Sequence, residues 1–283
     1  MVKKIKNKMR KINFYSQEHL GDNMHHFHYC RKLLEQNKDI EIDFYMKSPT
    51  DCNNFDVFYN ELILHIKDLE RFNIIKNFTR LPSDVVNIHI NADQTGRKYF
   101  EFINYPSLNG NMSFNEFYIY FFEHFSKILQ LENPIKTNED FLMDNPYILK
   151  DNRMYNDNFD FLIINSMPGS GQVERNLNHF NILFEYLLSK NYKIISTEKT
   201  LYPEILSTVE NGLSLLEIGN LSLKCDYVIG VHTSPVIYTF NKWNIDKIKK
   251  WIFFQSSGVY YTFNDRITTF KTLNDMYKIK DIL

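Results

Sequence analysis

Short β-rich runs alternate along this chain with longer segments whose apolar positions recur every three or four residues. Lys11–Ser16 (KINFYS) is the first such run, and Leu20–Glu35 follows with Met24, Phe27, Leu33 and Leu34 at helical spacing. Ile40–Met46 (IEIDFYM) predicts a second strand, Leu62–Phe72 a helix and Val85–Ile90 (VVNIHI) another strand. This alternation is the pattern of α/β layers.

From Asn115 to Leu131 the pattern is a strongly aromatic helix, with Phe114, Phe117, Phe121, Phe122, Phe125, Ile128 and Leu129 on one broad face. Such a stripe predicts core packing rather than a cofactor box. Leu131–Asn158 then carries two prolines and many Asn and Asp, the composition of an interdomain connection. The second half repeats the β–turn–α unit more clearly. Phe159–Ser166 (FDFLIINS), Tyr192–Thr197, Asp226–Val231 (DYVIGV) and Trp251–Gln255 predict strands, with helices over about Val173–Ser189 and Ser214–Leu223. Repeats of this kind favour a parallel sheet covered on both faces. The expected division is a first domain over 1–135, a linker over 136–158 and a second domain over 159–283.

Composition agrees with two packed cores. The chain has 283 residues, 43% of them hydrophobic and 16% aromatic, enough apolar material for two domains of ordinary size. A net charge of −1 excludes a general nucleic-acid binder, which needs excess cations to displace counterions from phosphates. A local basic patch is still possible at the start, MVKKIKNKMRK. It is either a weak peripheral contact to an anionic membrane, worth roughly 1 kcal/mol per charge, or a solvated end. Cys30, Cys52 and Cys225 are scattered, with no CxxC spacing, so neither a disulfide framework nor a structural zinc site is expected. No apolar run reaches about 18 residues, and a cytoplasmic protein is the expectation.

Three stretches carry candidate chemistry. In N-S-M-P-G-S-G-Q, following Ile164, Gly169 and Gly171 allow close backbone approach, while Ser170 and Gln172 offer polar groups to an anion at a helix N-terminus. The turn matches neither the Walker spacing nor a full GxGxxG, which demotes ATPase and ordinary dinucleotide readings. After DYVIGV, His232, Thr233 and Ser234 precede Pro235, a helix start where hydroxyls serve either a ligand or the cap alone. Both turns fall at the carboxyl ends of strands, where open α/β sheets bind ligands. Glu217 is placed either to accept from a ribose or to face solvent, and Lys199 either to contact a nucleotide or to sit on the surface. The third stretch, Gln17–Leu34, crowds His19, Asp22, His25, His26 and His28. His25 and His28 have the i, i+3 spacing of zinc ligands on a helix, but no second ligand cluster accompanies them, and no metal is expected.

These three segments together resemble a known family. H-L-G-D-N-M-H-H (His19–His26), N-S-M-P-G-S-G-Q and C-D-Y-V-I-G-V-H-T-S-P (Cys225–Pro235) are similar, in the right order, to motifs of the ADP-heptose lipopolysaccharide heptosyltransferases. The resemblance implies a GT-B fold, two Rossmann-like domains facing across a cleft, with an N-terminal acceptor side and a C-terminal domain for the nucleotide sugar. It implies Asp22 as catalytic base and His232, Thr233 and Ser234 as the donor-contacting turn. His232 stands where the family has aspartate, Ser234-Pro235 replaces Gly-Leu, and Ser170 and Gln172 occupy the turn that usually carries a phosphate-contacting lysine.

On this reading Gly21 serves the turn from strand to helix, and Asp22 sits at the helix N-terminus, where the dipole favours its ionised form. His25, one turn on, is the second candidate catalytic residue, and His19 and Gly21 lie on the acceptor side. The expected activity is metal-independent, inverting transfer of a sugar from a nucleotide-diphosphate sugar to a glycan or glycolipid hydroxyl, without a cofactor. The alternatives are a nucleotide-sugar epimerase or hydrolase on the same fold, or a non-catalytic nucleotide-sugar-binding protein.

Overall fold

Parallel strands buried on both faces need no alternation of polar and apolar residues, and the longer strands of this protein have that character. The computed structural model describes residues 9–17, 19–47, 55–88, 113–150, 155, 157–166, 177–254, 261–270 and 272–283. The chain falls into two compact units, one made of Met1–Pro106 and Tyr118–Asp140, the other of Ser107–Phe117 and Phe141–Leu283.

The first unit holds a four-stranded parallel sheet built from β1 (Arg10–Ser16), β2 (Ile40–Met46), β3 (Phe72–Ile75) and β4 (Val86–Asn87), in the order β3-β2-β1-β4. Helices α1 (Leu20–Gln36), α2 (Phe55–Leu64) and α3 (Phe114–Leu129) complete it, the unit boundary crossing α3 between Phe117 and Tyr118. The expected helix over Leu62–Phe72 is displaced: α2 ends at Leu64 and Phe72 already begins β3. Arg71 fixes that turn, its guanidinium donating to the carbonyls of Leu34 and Asn37 at the end of α1 and of Ile40 at the start of β2. Of the expected strand Val85–Ile90, Val86–Asn87 form β4, and residues 89–90 lie outside the described residues.

Helix α1 is buried almost all round because it is packed on two sides. Phe27 packs edge-on against Phe44 and Phe72 of the sheet, with ring centroids 4.9 and 5.1 Å away. On another side Tyr29 stacks flat on Phe122 of α3 at 4.5 Å and shares a 2.8 Å hydrogen bond with Ser126. A helix used on two sides carries no simple apolar stripe, so its polar residues are drawn into the interior.

The second unit holds a six-stranded parallel sheet. Its strands are β5 (Phe159–Ile164), β6 (Ile194–Ser196), β7 (Leu206–Ser207), β8 (Cys225–Val231), β9 (Lys250–Phe254) and β10 (Ile267–Phe270), in the order β10-β9-β8-β5-β6-β7. Counted from β5 this is 6-5-4-1-2-3, the doubly wound order of dinucleotide-binding folds, with its reversal between β5 and β8. Successive side chains point to opposite faces. Phe161 and Ile163 join α5 (Leu177–Ser189) and the C-terminal 3-10 segment Leu273–Asp281 in one core cluster. Leu162 and Ile164 join α6 (Leu215–Ser222) and Val236 of α7 (Ser234–Ile237) in the other. A short helix α4 (Asn138–Phe141) ends the first unit.

Candidate functional site

At the reversal of the second sheet, Gly230 of β8 faces Ile164 of β5 in register, and a Cβ on Gly230 would stand 2.1 Å from the Ile164 carbonyl oxygen. Only glycine lets the two strands run this close. Just beyond, the Ser166 hydroxyl lies 3.2 Å from the Thr233 hydroxyl. Thr233 occupies the N-cap of α7, yet its side chain makes no capping bond. The reading of Thr233 as a plain cap therefore does not describe its hydroxyl, which reaches across to the turn after β5.

The cluster continues to β6. The Thr197 hydroxyl oxygen accepts from the backbone N–H groups of Asn165 (3.0 Å) and Ser166 (3.1 Å), and the hydroxyl donates to Asn165 Oδ1 (3.1 Å). Asn165 Oδ1 also accepts from the Glu198 N–H at 2.8 Å. Asn165 and Thr197 are each 3% exposed. Buried groups satisfied in this way form a rigid polar network. It ties together the carboxyl ends of β8, β5 and β6. Thr197, Asn165 and Ser166 were not singled out in the sequence, because only the strand order makes them neighbours.

His232 follows β8 directly. Its imidazole shares a hydrogen bond with the Tyr261 hydroxyl and packs against the rings of Phe114 (5.3 Å) and Tyr261 (4.9 Å). Desolvation in this aromatic surround lowers its pKa to about 4, so the ring is neutral at ordinary pH. Thr262 anchors the same surround, its hydroxyl donating to Ser113 Oγ (2.9 Å) and its N–H to Asn115 Oδ1 (3.0 Å). Gly169, Ser170, Gly171 and Gln172 lie outside the described residues.

Two further sequence candidates are engaged elsewhere in the same unit. Glu217 is the N3 residue of a capping box: its Oε2 accepts from the Ser214 N–H and hydroxyl, both at 2.8 Å. The spacing Ser214-x-x-Glu217 is the sequence signal of that box. Lys199 pairs with Glu210 at 2.7 Å on the surface.

In the first unit, α1 begins at Leu20, so Gly21 lies within its first turn instead of in the loop before it. His19 is the N-cap, without a side-chain capping bond, and Asp22 sits in the first turn. Asp22 Oδ1 accepts a 2.6 Å hydrogen bond from the hydroxyl of Tyr118 on α3. His25 packs its ring on Tyr118 at 4.6 Å, while His26 lies among Tyr118, Phe121 and Phe122. His28 Nε2 contacts the Asp140 carbonyl oxygen at 2.9 Å. His25 and His26 thus share Tyr118 while His28 turns to the Asp140 carbonyl, and among the described residues no group of three or more His, Cys, Asp or Glu is placed to hold a metal ion. Of the basic start, residues 1–8 lie outside the described residues. Arg10 donates to the Leu129 carbonyl at the end of α3, and Lys11 pairs with Asp43 and Glu41. Among the described residues no helix is long and apolar enough to cross a membrane.

No protein-family model matches the chain, and no curated protein matches it. Solved structures do. The Escherichia coli heptosyltransferase WaaC, determined with ADP-2-deoxy-2-fluoro heptose, is similar over 96% of this chain and 99% of its own, at 10% identity and a TM-score of 0.59. A glycosyl transferase family 9 protein from Veillonella parvula is similar over 98% of this chain and 90% of its own, at 10% identity and a TM-score of 0.55. The dodecameric iron-containing glycosyltransferase TibC from enterotoxigenic E. coli is similar over 93% of this chain and 63% of its own, at 12% identity and a TM-score of 0.53. Two parallel α/β units in one chain, matched along nearly its whole length by these glycosyltransferases, place the fold in the GT-B type.

Proposed function

We propose that this protein is a glycosyltransferase that moves a sugar from a nucleotide-diphosphate sugar to a hydroxyl of a glycan or glycolipid, with inversion and without a metal ion or other cofactor. The observation that carries the reading is the hydroxyl and amide cluster of Asn165, Ser166, Thr197 and Thr233 at the switch point of a doubly wound sheet. That is where such sheets bind nucleotides. The fold shared with proteins solved holding ADP or an ADP-heptose analogue supports the same reading.

In the proposed reaction Asp22 takes the proton from the acceptor hydroxyl as its oxygen forms the new bond to the anomeric carbon. The bond from that carbon to the diphosphate oxygen breaks, and the nucleoside diphosphate leaves with the electron pair. Hydrogen-bond donors of the second unit, including the turn of Gly169, Ser170, Gly171 and Gln172, meet the departing charge. Among the described residues, the Ser166 and Thr233 hydroxyls at the switch point are neutral groups of the kind that donate to phosphate oxygens.

The test combines a thermal-shift panel of UDP-glucose, GDP-mannose and ADP-heptose with mass detection of product on a glycan array, in EDTA-treated protein. Transfer that survives EDTA and drops at least 100-fold in Asp22→Asn is the expected result. Free nucleoside diphosphate without a glycosylated product would instead support the epimerase or hydrolase reading. No shift with any nucleotide sugar would sink the binding reading as well.

A further inference from the structure

Resting on that reading of Asp22, we infer that Tyr118 is the positioning residue of the transferase base: its hydroxyl fixes the carboxylate and keeps it ionised. A single carboxylate at a helix start can rotate about its side-chain bonds. Here the Tyr118 hydroxyl donates to Oδ1 at 2.6 Å, which sets the carboxylate plane and the direction in which Oδ2 presents.

The tyrosine is itself held. It is fully buried, with the His25 ring against it at 4.6 Å and Phe122 at 5.5 Å. The arrangement follows from helical spacing. Asp22, His25, His26 and Tyr29 share one side of α1, and they meet Tyr118, Phe122 and Ser126 of α3 in ascending order, so the two helices run the same way. Further along, the flat stack of Tyr29 on Phe122 and the Tyr29–Ser126 hydrogen bond lock the register of the pair. His25 thereby acts through Tyr118, by confining the phenol ring, and among the described residues the titratable groups packed on the Tyr118–Asp22 pair include His25 and His26.

A phenol that donates to a carboxylate stabilises the charged form and makes it the weaker base. The return is a fixed geometry: the proton of the acceptor hydroxyl passes to a carboxylate already in place, without reorganisation. Losing the bond therefore makes Asp22 more basic and less well placed.

Tyr118→Phe deletes only the hydroxyl and keeps the buried ring. Two arms test it on the full chain. In the first, the carboxyl carbons of aspartate are labelled with 13C and titrated by NMR, and Asp22 is assigned by its loss in Asp22→Asn. In Tyr118→Phe the Asp22 midpoint should move to higher pH while the other aspartates stay put. In the second, with a donor that supports transfer, Tyr118→Phe should lower kcat about tenfold or more with little change in donor KM, and shift the acid limb of the rate profile upward. Adding Tyr118→Phe to Asp22→Asn should cost nothing further.

An unchanged Asp22 midpoint, or losses that multiply in the double variant, would overturn the inference. If the midpoint moves but Asp22→Asn transfers sugar as well as the parent, the coupling stands and the assignment of Asp22 as base is what fails. If Asp22 is essential and Tyr118→Phe behaves as the parent, the positioning role alone fails.

Discussion

Replacing Gly230 by alanine probes the switch point at its tightest place. The added Cβ would lie 2.1 Å from the Ile164 carbonyl oxygen, 2.7 Å from its carbonyl carbon and 2.7 Å from its Cβ. Two of these three atoms are backbone, so no side-chain rotation relieves the clash. The strands must part by roughly 1 Å to reach even a tight contact, which strains the ladder between Ile163↔Ile229 and Ile164↔Gly230. Overpacking of this kind costs about 1 to 3 kcal/mol, and weakening one or two ladder hydrogen bonds adds about 1 kcal/mol each, for a total of about 2 to 5 kcal/mol. Gly212 is the control. It has φ +64° with nothing within 4 Å of an added methyl, so alanine there meets backbone strain alone, about 1 kcal/mol. Urea unfolding should rank Gly230→Ala far below Gly212→Ala, which in turn lies slightly below the parent. Equal midpoints for the two variants would refute the argument that close strand approach, rather than glycine's freedom, fixes residue 230.

Thr197→Val removes one acceptor shared by two buried N–H groups and the donor to Asn165; it should cost about 2 to 4 kcal/mol in urea unfolding. By calorimetry it should weaken nucleoside diphosphate binding, which Asp22→Asn should leave intact. Desolvation lowers the pKa of His232 to about 4 in the folded protein against an ordinary 6.5, so the unfolded chain binds the extra proton first. Its stabilisation is fully present above about pH 6.5 and lost as pH falls towards 4, a swing of about 3 kcal/mol. His232→Gln should flatten the fall in urea midpoint between pH 7 and 5, and a parent-like slope would count against the desolvated ring. Asp68 clasps the buried Arg31 guanidinium at 2.7 and 2.8 Å, and that hydrogen bonding lowers its pKa. Asp68→Ala should cost about 2 to 4 kcal/mol above pH 5, with the difference from the parent shrinking as acid protonates Asp68.

The strands were legible because a parallel sheet buried on both faces writes itself as β-rich runs. KINFYS, IEIDFYM, FDFLIINS, DYVIGV and WIFFQ all coincide with observed strands to within two residues at either end. The misplaced helix at Leu62–Phe72 shows where periodicity misleads, since its apolar beat combined the tail of α2, a turn and the start of β3. Strands β7, two residues long, and β10, half-buried with the sequence ITTF, are too short or too polar to stand out. At the candidate site, Pro235 marked the start of α7, and the S-x-x-E spacing could have marked the cap made by Glu217. The Ser166 partner of Thr233 could not be read, because the two meet only through the pairing of β8 with β5, and Thr197 joins Ser166 only through the pairing of β5 with β6. The histidines of α1 looked like ligands because nothing in one helix says that two of its sides are covered. Tyr118 belonged to an aromatic helix read as core, and its one polar atom found the aspartate.

The groups assembled at the switch point are neutral donors and acceptors, and the physical surroundings keep them so. Asn165, Ser166, Thr197 and Thr233 carry no charge, and His232 is held uncharged by the aromatic residues around it. On the proposed reading, a leaving diphosphate meets fixed dipoles here, which need no reorientation when charge develops. A lysine could do the same by direct charge, but on a flexible stem that must be ordered first. The buried hydroxyls are already ordered by one another, through Thr197 and Asn165, before any ligand arrives. On the proposed reading, that pre-ordering lets hydroxyls and amides meet a phosphate without a lysine, so Thr197→Val costs both stability and binding.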